Sequence, residues 1–300
     1  MHREKRVIAL GFFDGVHIGH GALLRRVNEV AAACGAVPTA LTFGSHPKNL
    51  IRGNAVPLIS TPEDREYIME KYYGICDVIV LPFDRAMMEM PWEQFVTKVL
   101  VETYQAVHVV AGHDYHFGYR GEGTPQRLAQ LCAELGIGCD IIGRVELDGV
   151  TASSTHIRSL LQQGEMEEAC RFLGHPHILS GVVGHGKGLG RTIGIPTANL
   201  TVPEEVLVPA FGVYATRVIT EYGVYPAVTN VGIRPTVDDG TAVTVEPWIL
   251  DFDHDLYGKM IHVEFFRQLR AERKFESLEE LQQEIFRNAD QTRSYFVKNA

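Results

Sequence analysis

Short β-rich runs alternate with helical patterns through the first half of this chain, and no other feature restricts its fold as strongly. Arg6–Leu10 (RVIAL), Val37–Phe43 (VPTALTF), Asp77–Leu81 (DVIVL), 106–111 (AVHVVA) and 139–143 (CDIIG) are mostly apolar, as strands covered on both faces must be. Between them Leu23, Leu24, Val27, Val30 and Ala31 recur at helical spacing, Thr61 stands as an N-cap before Pro62, and a further helix fits 124–135. Strand, helix, strand, repeated in this way, predicts an α/β doubly wound parallel sheet with helices on both faces. Ligands of such sheets bind at the carboxyl ends of the strands.

Helical patterns over 154–163 and 165–173 close this half, and Gly174-His175-Pro176 breaks the run. From Ser180 the pattern changes to β-rich runs at 212–220, 225–230, 241–248 and 259–266, separated by Gly, Pro and Asp turns. A small antiparallel β-barrel is expected, followed by a C-terminal helix over 277–296 with a Ser277/Glu280 capping box. The 300 residues therefore read as two domains, 1–173 and 180–300.

Composition narrows the function. The net charge is -9 and neither half is basic, which disfavours nucleic acid as a partner and points to small phosphorylated ligands held by backbone amides, a few side chains and a metal ion. No apolar run reaches the 18 or so residues of a membrane helix, and the polar Met1–Arg6 stretch has no signal-peptide core behind it, so membrane and secreted locations are disfavoured. Cys34, Cys76, Cys132, Cys139 and Cys170 are odd in number and form no CxxC pair, which fits a reducing cytoplasm. Oligomeric state is not legible.

The stretch Gly11-Phe12-Phe13-Asp14-Gly15-Val16-His17-Ile18-Gly19-His20 runs from the first strand into the first helix. Glycines at a strand end allow close backbone approach, and a helix start offers free amides to phosphate. His17 and His20 then flank that site and can donate hydrogen bonds to phosphate oxygens as charge develops. A zinc reading is weaker, because HxxH lacks the i, i+4 spacing and the Glu of the metalloprotease motif. Neither Gly186-Lys187 nor Gly258-Lys259 is followed by Ser or Thr, so no Walker loop is present, and GxGxxG is absent.

GFFDGVHIGH resembles the HxGH signature of the nucleotidylyltransferase superfamily, in the form carried by the bacterial bifunctional riboflavin kinase/FMN adenylyltransferase (FAD synthetase) family. Thr42-Phe43 through His46-Pro47, Gly112-His113-Asp114-Tyr115-His116-Phe117-Gly118 and Ser153-Ser154-Thr155-His156-Ile157-Arg158 agree with that family in order. The resemblance implies that His17, His20 and Arg158 act on the ATP phosphates, with Gly11, Phe13, Asp14, Gly19, Asp114, Ser154 and Thr155 around the nucleotide. Ser45 replaces the first Pro of the family's TFxPHP stretch, and Pro47 keeps the second. On spacing alone Asp114 reads equally well as a turn or cap residue.

Gly181–Asn199 reads GVVGHGKGLGRTIGIPTAN. Gly184, Gly186, Gly188, Gly190 and Gly194 suit a loop whose amides face phosphate, Lys187 and Arg191 are natural counter-charges, and Thr197 and Asn199 can turn two oxygens toward Mg²⁺. A flexible glycine-rich hairpin is equally open on spacing. The segment is similar to the riboflavin kinase signature, followed in order by Gly212-Val213-Tyr214-Ala215, Asn230–Thr236 and Asp251–Gly258. That resemblance implies Mg²⁺ ligation by Thr197 and Asn199, and a proton-accepting role for Glu246 toward the ribityl hydroxyl. Pro247 follows Glu246 and removes a ladder donor, so the strand is expected to lie on an edge or carry a bulge there. Asp251, Asp253 and Asp255 do not form an EF-hand, since its sixth and twelfth positions would be Leu256 and His262.

The expected function has two steps. Residues 180–300 phosphorylate riboflavin with ATP, and residues 1–173 adenylylate FMN to FAD with release of pyrophosphate, both with Mg²⁺. Two alternatives stay open at this level: an adenylyltransferase whose barrel binds flavin without turnover because of Pro247 and Trp248, and a flavin-sensing protein without activity.

Overall fold

The computed structural model describes residues 4–45, 56–184, 194–235 and 241–298. The chain divides into two compact units, Met1–Ser154 and Thr155–Ala300.

In the first unit, β1 (Arg6–Leu10), β2 (Val37–Phe43), β3 (Asp77–Leu81), β4 (Ala106–Gly112) and β5 (Gly138–Ile142) form one parallel sheet in the order β3-β2-β1-β4-β5. The expected doubly wound sheet is present. β1 is central, and Val7, Ile8, Ala9 and Leu10 are all buried, because helices cover both faces of the sheet. Chain order reverses between β1 and β4, so the carboxyl end of β1 opens onto the crevice where such sheets bind ligands.

Helix α1 (Ile18–Cys34) starts on His17 and stops at Gly35, whose φ of 66° closes it with a left-handed cap. Helix α2 (Pro62–Tyr73) starts as the sequence suggests, with the Thr61 hydroxyl accepting from the Asp64 amide at 3.0 Å and Pro62 in the first turn. Three helical pieces complete this unit, of which the sequence suggests only a helix start near Trp92: α3 (Arg85–Glu89), α4 (Trp92–Gln94) and the wider-turned helix of Phe95–Thr103 that follows it. Phe95, Val96 and Leu100 of the last join Ile8, Leu10, Leu41 and Val109 in one core. Each such side chain contributes about 1.5–3 kcal/mol on burial. Helix α5 (Pro125–Glu134) precedes β5, and a small hairpin of β6 (Glu146–Leu147) and β7 (Val150–Thr151) follows it.

Helix α6 (Ser154–Gln163) begins at the division between the units. In the second unit α7 (Met166–Leu173) buries Met166, Ala169, Phe172 and Leu173 and packs on β8 (His177–Gly184) and β13 (Met260–Ala271), with the Cys170 thiol donating to the Phe265 carbonyl at 3.3 Å. The remaining strands are β9 (Asn199–Leu200), β10 (Gly212–Thr220), β11 (Gly223–Pro235) and β12 (Thr241–Ile249). They close into an antiparallel barrel ordered β10-β11-β12-β9-β8-β13. The C-terminal helix α8 (Leu278–Lys298) is capped by Ser277, whose hydroxyl accepts from the Glu280 amide at 3.1 Å. The barrel and its helix are those expected, but the barrel begins earlier than Ser180, because His177, Ile178 and Leu179 are buried and already pair with β13.

β12 runs against β11 in an unbroken register, Asn230 opposite Glu246, Thr229 opposite Pro247 and Val228 opposite Trp248. No bulge accommodates Pro247. Beside it stands the two-residue β9, registered with β12 at Val245 and Leu200 and continued by the Ala198 amide donating to the Pro247 carbonyl at 2.9 Å. Pro247 therefore gives the ladder an acceptor on the side where one is needed.

Candidate active sites

Two places assemble the residues singled out above. The first is the loop between β1 and α1, whose backbone is irregular: φ is 56° at Phe13, 78° at Gly15 and 41° at Val16. For the two residues that carry side chains this is uncommon and costs on the order of 1–3 kcal/mol each. Contacts from elsewhere hold the loop in that shape. The Asp14 carboxylate is 1% exposed and accepts the amides of Ile59 at 2.8 Å and Ser60 at 3.1 Å. Ser60 Oγ accepts the Gly15 amide at 2.9 Å, and Ser154 Oγ donates to the Asp14 carbonyl at 3.0 Å. Asp14 and Ser154 thus meet, and Asp14 works from inside the loop.

His17 is the N-cap of α1, with its Nδ1 accepting the His20 amide at 3.3 Å. Because that amide can only donate, Nδ1 carries the lone pair and a neutral His17 carries its proton on Nε2. The two imidazoles stack at 3.7 Å between centroids and 17° between planes, and His20 meets the Phe13 ring edge-on at 5.1 Å. The two glycines allow these ring contacts, since a Cβ on Gly19 would sit 3.0 Å from the His17 ring and one on Gly11 would sit 3.0 Å from the Phe13 ring. Burial, then the neighbouring charges of His17 and Arg65, holds His20 well below the ordinary imidazole value, and its buried Nδ1 has no hydrogen-bond partner among the described residues. His20 is a neutral ring at physiological pH.

Arg65 was not legible as part of this site. It is 0% exposed, and its Nη1 donates to the Phe12 carbonyl at 2.7 Å, the Thr42 hydroxyl at 2.8 Å and the Phe43 carbonyl at 3.0 Å, with Nε on the Thr61 carbonyl at 3.3 Å. The only sequence signal was its place in the first turns of a capped helix, which says nothing of burial. Also missed was an aromatic and methionine wall of Phe12, Phe43, Phe83, Met87, Met90 and Trp92, half-buried apart from the more deeply buried Phe43. Phe43 and Phe83 meet edge to face at 5.3 Å.

Asp114 follows β4 with its side chain 82% exposed, its Oδ1 4.0 Å from His113 Nδ1. Thr155 is exposed and Arg158 half-buried on α6, three residues apart and so on one helix face. His46 and Pro47 lie outside the described residues, as do Gly186, Lys187, Gly188, Gly190 and Arg191 of the second candidate loop.

The second place is the β9 edge of β12. The Val245 and Leu200 register sets Asn199 opposite Glu246, and Asn230 of β11 opposes Glu246 from the other side. Antiparallel partners share a face, so the half-buried Glu246 stands between two amide side chains. Gly184 opposes Asn199 from β8. Thr197, Ala198 and Pro247 line a cleft of about 440 Å³ that is walled by residues 252–257. That wall is anchored. Arg293 of α8 donates to both oxygens of Asp251 at 3.1 and 3.2 Å, Asp255 Oδ1 accepts the Tyr257 amide at 3.0 Å, and His254 stacks on Tyr222 at 4.3 Å. The acidic run is a turn. Among the described residues no group of three or more His, Cys, Asp or Glu could hold a metal ion. Thr197 and Asn199 carry oxygen donors, the kind of ligand that Mg²⁺ prefers.

A parallel sheet with paired histidines at its first βα junction, joined to a barrel with a PTAN segment beside a carboxylate, defines a two-module, ATP-handling transferase architecture. Family models agree module by module: FAD synthetase matches residues 1–156 and riboflavin kinase matches residues 173–296. The chain is 35% identical to the bifunctional riboflavin kinase/FMN adenylyltransferase of Listeria monocytogenes, over 98% of this chain and 93% of that protein. The protein of the same name from Bacillus subtilis is 32% identical, again over 98% and 93%. A solved structure described as a macrolide-efflux protein from Streptococcus pneumoniae superposes with a TM-score of 0.84 at 31% identity, covering 98% of this chain and 95% of that one. The chain belongs to the bifunctional riboflavin kinase/FMN adenylyltransferase family.

Proposed function

We propose that one chain performs two consecutive transfers, riboflavin and ATP to FMN and ADP in residues 180–300, then FMN and a second ATP to FAD and pyrophosphate in residues 1–173. The observation that carries the reading is the presence of both candidate sites at once: a stacked imidazole pair at the switch point of the sheet, and Glu246 beside the Thr197–Asn199 segment in the barrel.

In the barrel, Glu246 accepts the proton of the ribityl 5′-hydroxyl as that oxygen bonds to the γ-phosphorus and the bond to ADP breaks. Phosphoryl transfer needs little more of a protein than alignment, a proton acceptor and charge neutralisation. Asn199 and Asn230 flank Glu246 from the two neighbouring strands. Thr197 and Asn199 would hold Mg²⁺, which, when bound, moderates the charge of the phosphate oxygens. Gly184, Gly186, Gly188 and Gly190 would present amides to the same phosphates, with Lys187 and Arg191 as counter-charges. The unbroken register at Pro247 supports the kinase reading over a barrel that binds without turnover.

In the sheet domain the FMN phosphate is itself the nucleophile. Its oxygen bonds to the α-phosphorus of ATP while the bond to pyrophosphate breaks, so no side-chain nucleophile is required. His17, protonated at Nε2, and the neutral His20 donate hydrogen bonds to the phosphate oxygens, and Arg158, Ser154 and Thr155 contribute along the triphosphate. Gly11 and Gly19 leave room for the rings, Asp14 keeps the loop in shape, and Asp114 faces solvent at the neighbouring strand end. The wall of Phe12, Phe43, Phe83, Met87 and Met90 offers the isoalloxazine ring a flat, polarizable surface. ATP as substrate and five unpaired cysteines are in keeping with a cytoplasmic location.

Purified protein with riboflavin, ATP and Mg²⁺, its products separated by chromatography, tests the reading. FMN followed by FAD is expected, whereas FAD formed only from supplied FMN, or no product, would refute it.

A further inference from the structure

We propose that Arg65 is a positioning residue for adenylyl transfer: it clamps the root of the His17–His20 loop to the end of β2 with a buried cation. The inference rests on the assignment of FAD synthesis to the first domain. Arg65 reaches from α2 to the point where β1 gives way to the loop, and its Nη1 joins the carbonyls of Phe12 and Phe43 through one donor group, with Thr42 Oγ1 bonded to both Arg65 and the Phe12 carbonyl. Its guanidinium also lies over the Phe12 ring, 4.6 Å from the centroid.

This cation is held at a disadvantage. It is 0% exposed, and among the described residues no carboxylate is hydrogen-bonded to it and its buried Nη2 has no partner. A buried charge without a bonded counter-ion is a poor way to fill space, and an apolar side chain of similar volume would serve packing better. Burial brings Arg65 down to about 10, against the pull of Asp14 in the loop and of Glu63, Asp64 and Glu66 around it, so it remains a cation at neutral pH. The charged groups acting on His20 are His17 from the loop and Arg65 from α2, and both disfavour its protonation. Burial is the main cause that keeps His20 neutral, His17 comes next, and Arg65 adds to both while fixing the backbone that carries the ring.

Arg65→Met and Arg65→Lys in the full chain test this, with kcat and KM for FAD synthesis from FMN and ATP, riboflavin phosphorylation in the same samples, and a histidine Cε1 NMR titration of His20. Arg65→Met should lower kcat for FAD synthesis by roughly 10²-fold through misplacement of the loop, leave phosphorylation unchanged, and raise the His20 titration midpoint. Arg65→Lys should keep the midpoint, because the charge stays, and recover only part of kcat, because the three-way bond is lost. Wild-type kcat in either variant, or a lost kcat with an unmoved His20 midpoint in Arg65→Met, would overturn the proposal. If Arg65→Met does not fold, Arg65→Lys decides alone through its kcat. A wild-type protein that makes no FAD would instead overturn the assignment beneath it, while the His20 titration would still report on Arg65.

Discussion

The loop between β1 and α1 and the β9 edge of β12 place their chemistry by opposite means. The loop is irregular backbone with φ positive at Phe13, Gly15 and Val16, and it keeps its shape through buried polar bonds from the distant 58–65 segment. The barrel site takes its geometry from regular pairing, which sets Asn199 and Asn230 on either side of Glu246 with no special backbone. A site cast by remote polar groups should be fragile to substitutions that touch no substrate. A site set by register should be fragile mainly at the side chains that do the chemistry.

Four substitutions test that contrast, beginning with the largest effect. Glu246→Ala should reduce FMN formation by about 10³-fold by removing the proton acceptor, and leave adenylylation of supplied FMN intact. Equal loss of both activities, measured on one preparation, would break the division between sites. His17→Ala should do the converse, with FAD synthesis down by about 10²-fold or more and phosphorylation unaffected. Asp14→Ala touches the loop from inside, orphans the Ile59 and Ser60 amides, and should destabilise the first unit by about 2–3 kcal/mol in denaturant unfolding while also slowing FAD synthesis. Pro247→Ala, next to the barrel carboxylate, should cost about 0.4–1 kcal/mol through the unfolded chain and leave the kinase kcat as it is. A larger kinetic effect there than for Asp14→Ala on its own reaction would reverse the comparison.

A pH dependence sharpens the barrel side. His177 is buried, its Nε2 has no partner, and burial first, then His175, brings it from 6.5 to about 3. The unfolded chain takes up this proton as pH falls through 6.5 and the folded chain does not until about 3, so stability is full above 6.5 and is lost across that interval. His177→Leu should flatten the acid-side decline of the barrel's Tm. An unchanged decline would assign it to other groups.

Much of this was legible from residues alone. Apolar runs such as RVIAL and DVIVL and the caps at Thr61 and Ser277 express local rules that tertiary structure did not override. Of the helices over 85–103 only a start near Trp92 was legible; Trp92, Phe95, Val96, Val99 and Leu100 recur at helical spacing and could have given the rest, whereas the wider winding of Phe95–Thr103 has no such signal. β8 begins before Ser180 because α7 and β13 bury His177, a residue that local pattern reads as a breaker region. In the site, His17 and His20 were legible from their place after a strand. Arg65 was not, because a single Arg in a Glu-rich helix start reads as a solvated charge, and only the fold carries it under Phe12 and Phe43.

The central claim is that one chain holds two separate transfer centres. The most direct measurement gives Glu246→Ala and His17→Ala proteins riboflavin, ATP and Mg²⁺, first each alone and then mixed, and follows FMN and FAD over time. The account expects no FMN from the first, FMN without FAD from the second, and FAD restored when the two are mixed. Failure of the mixture to make FAD while each variant keeps its remaining activity, or FAD from either variant alone, would contradict it.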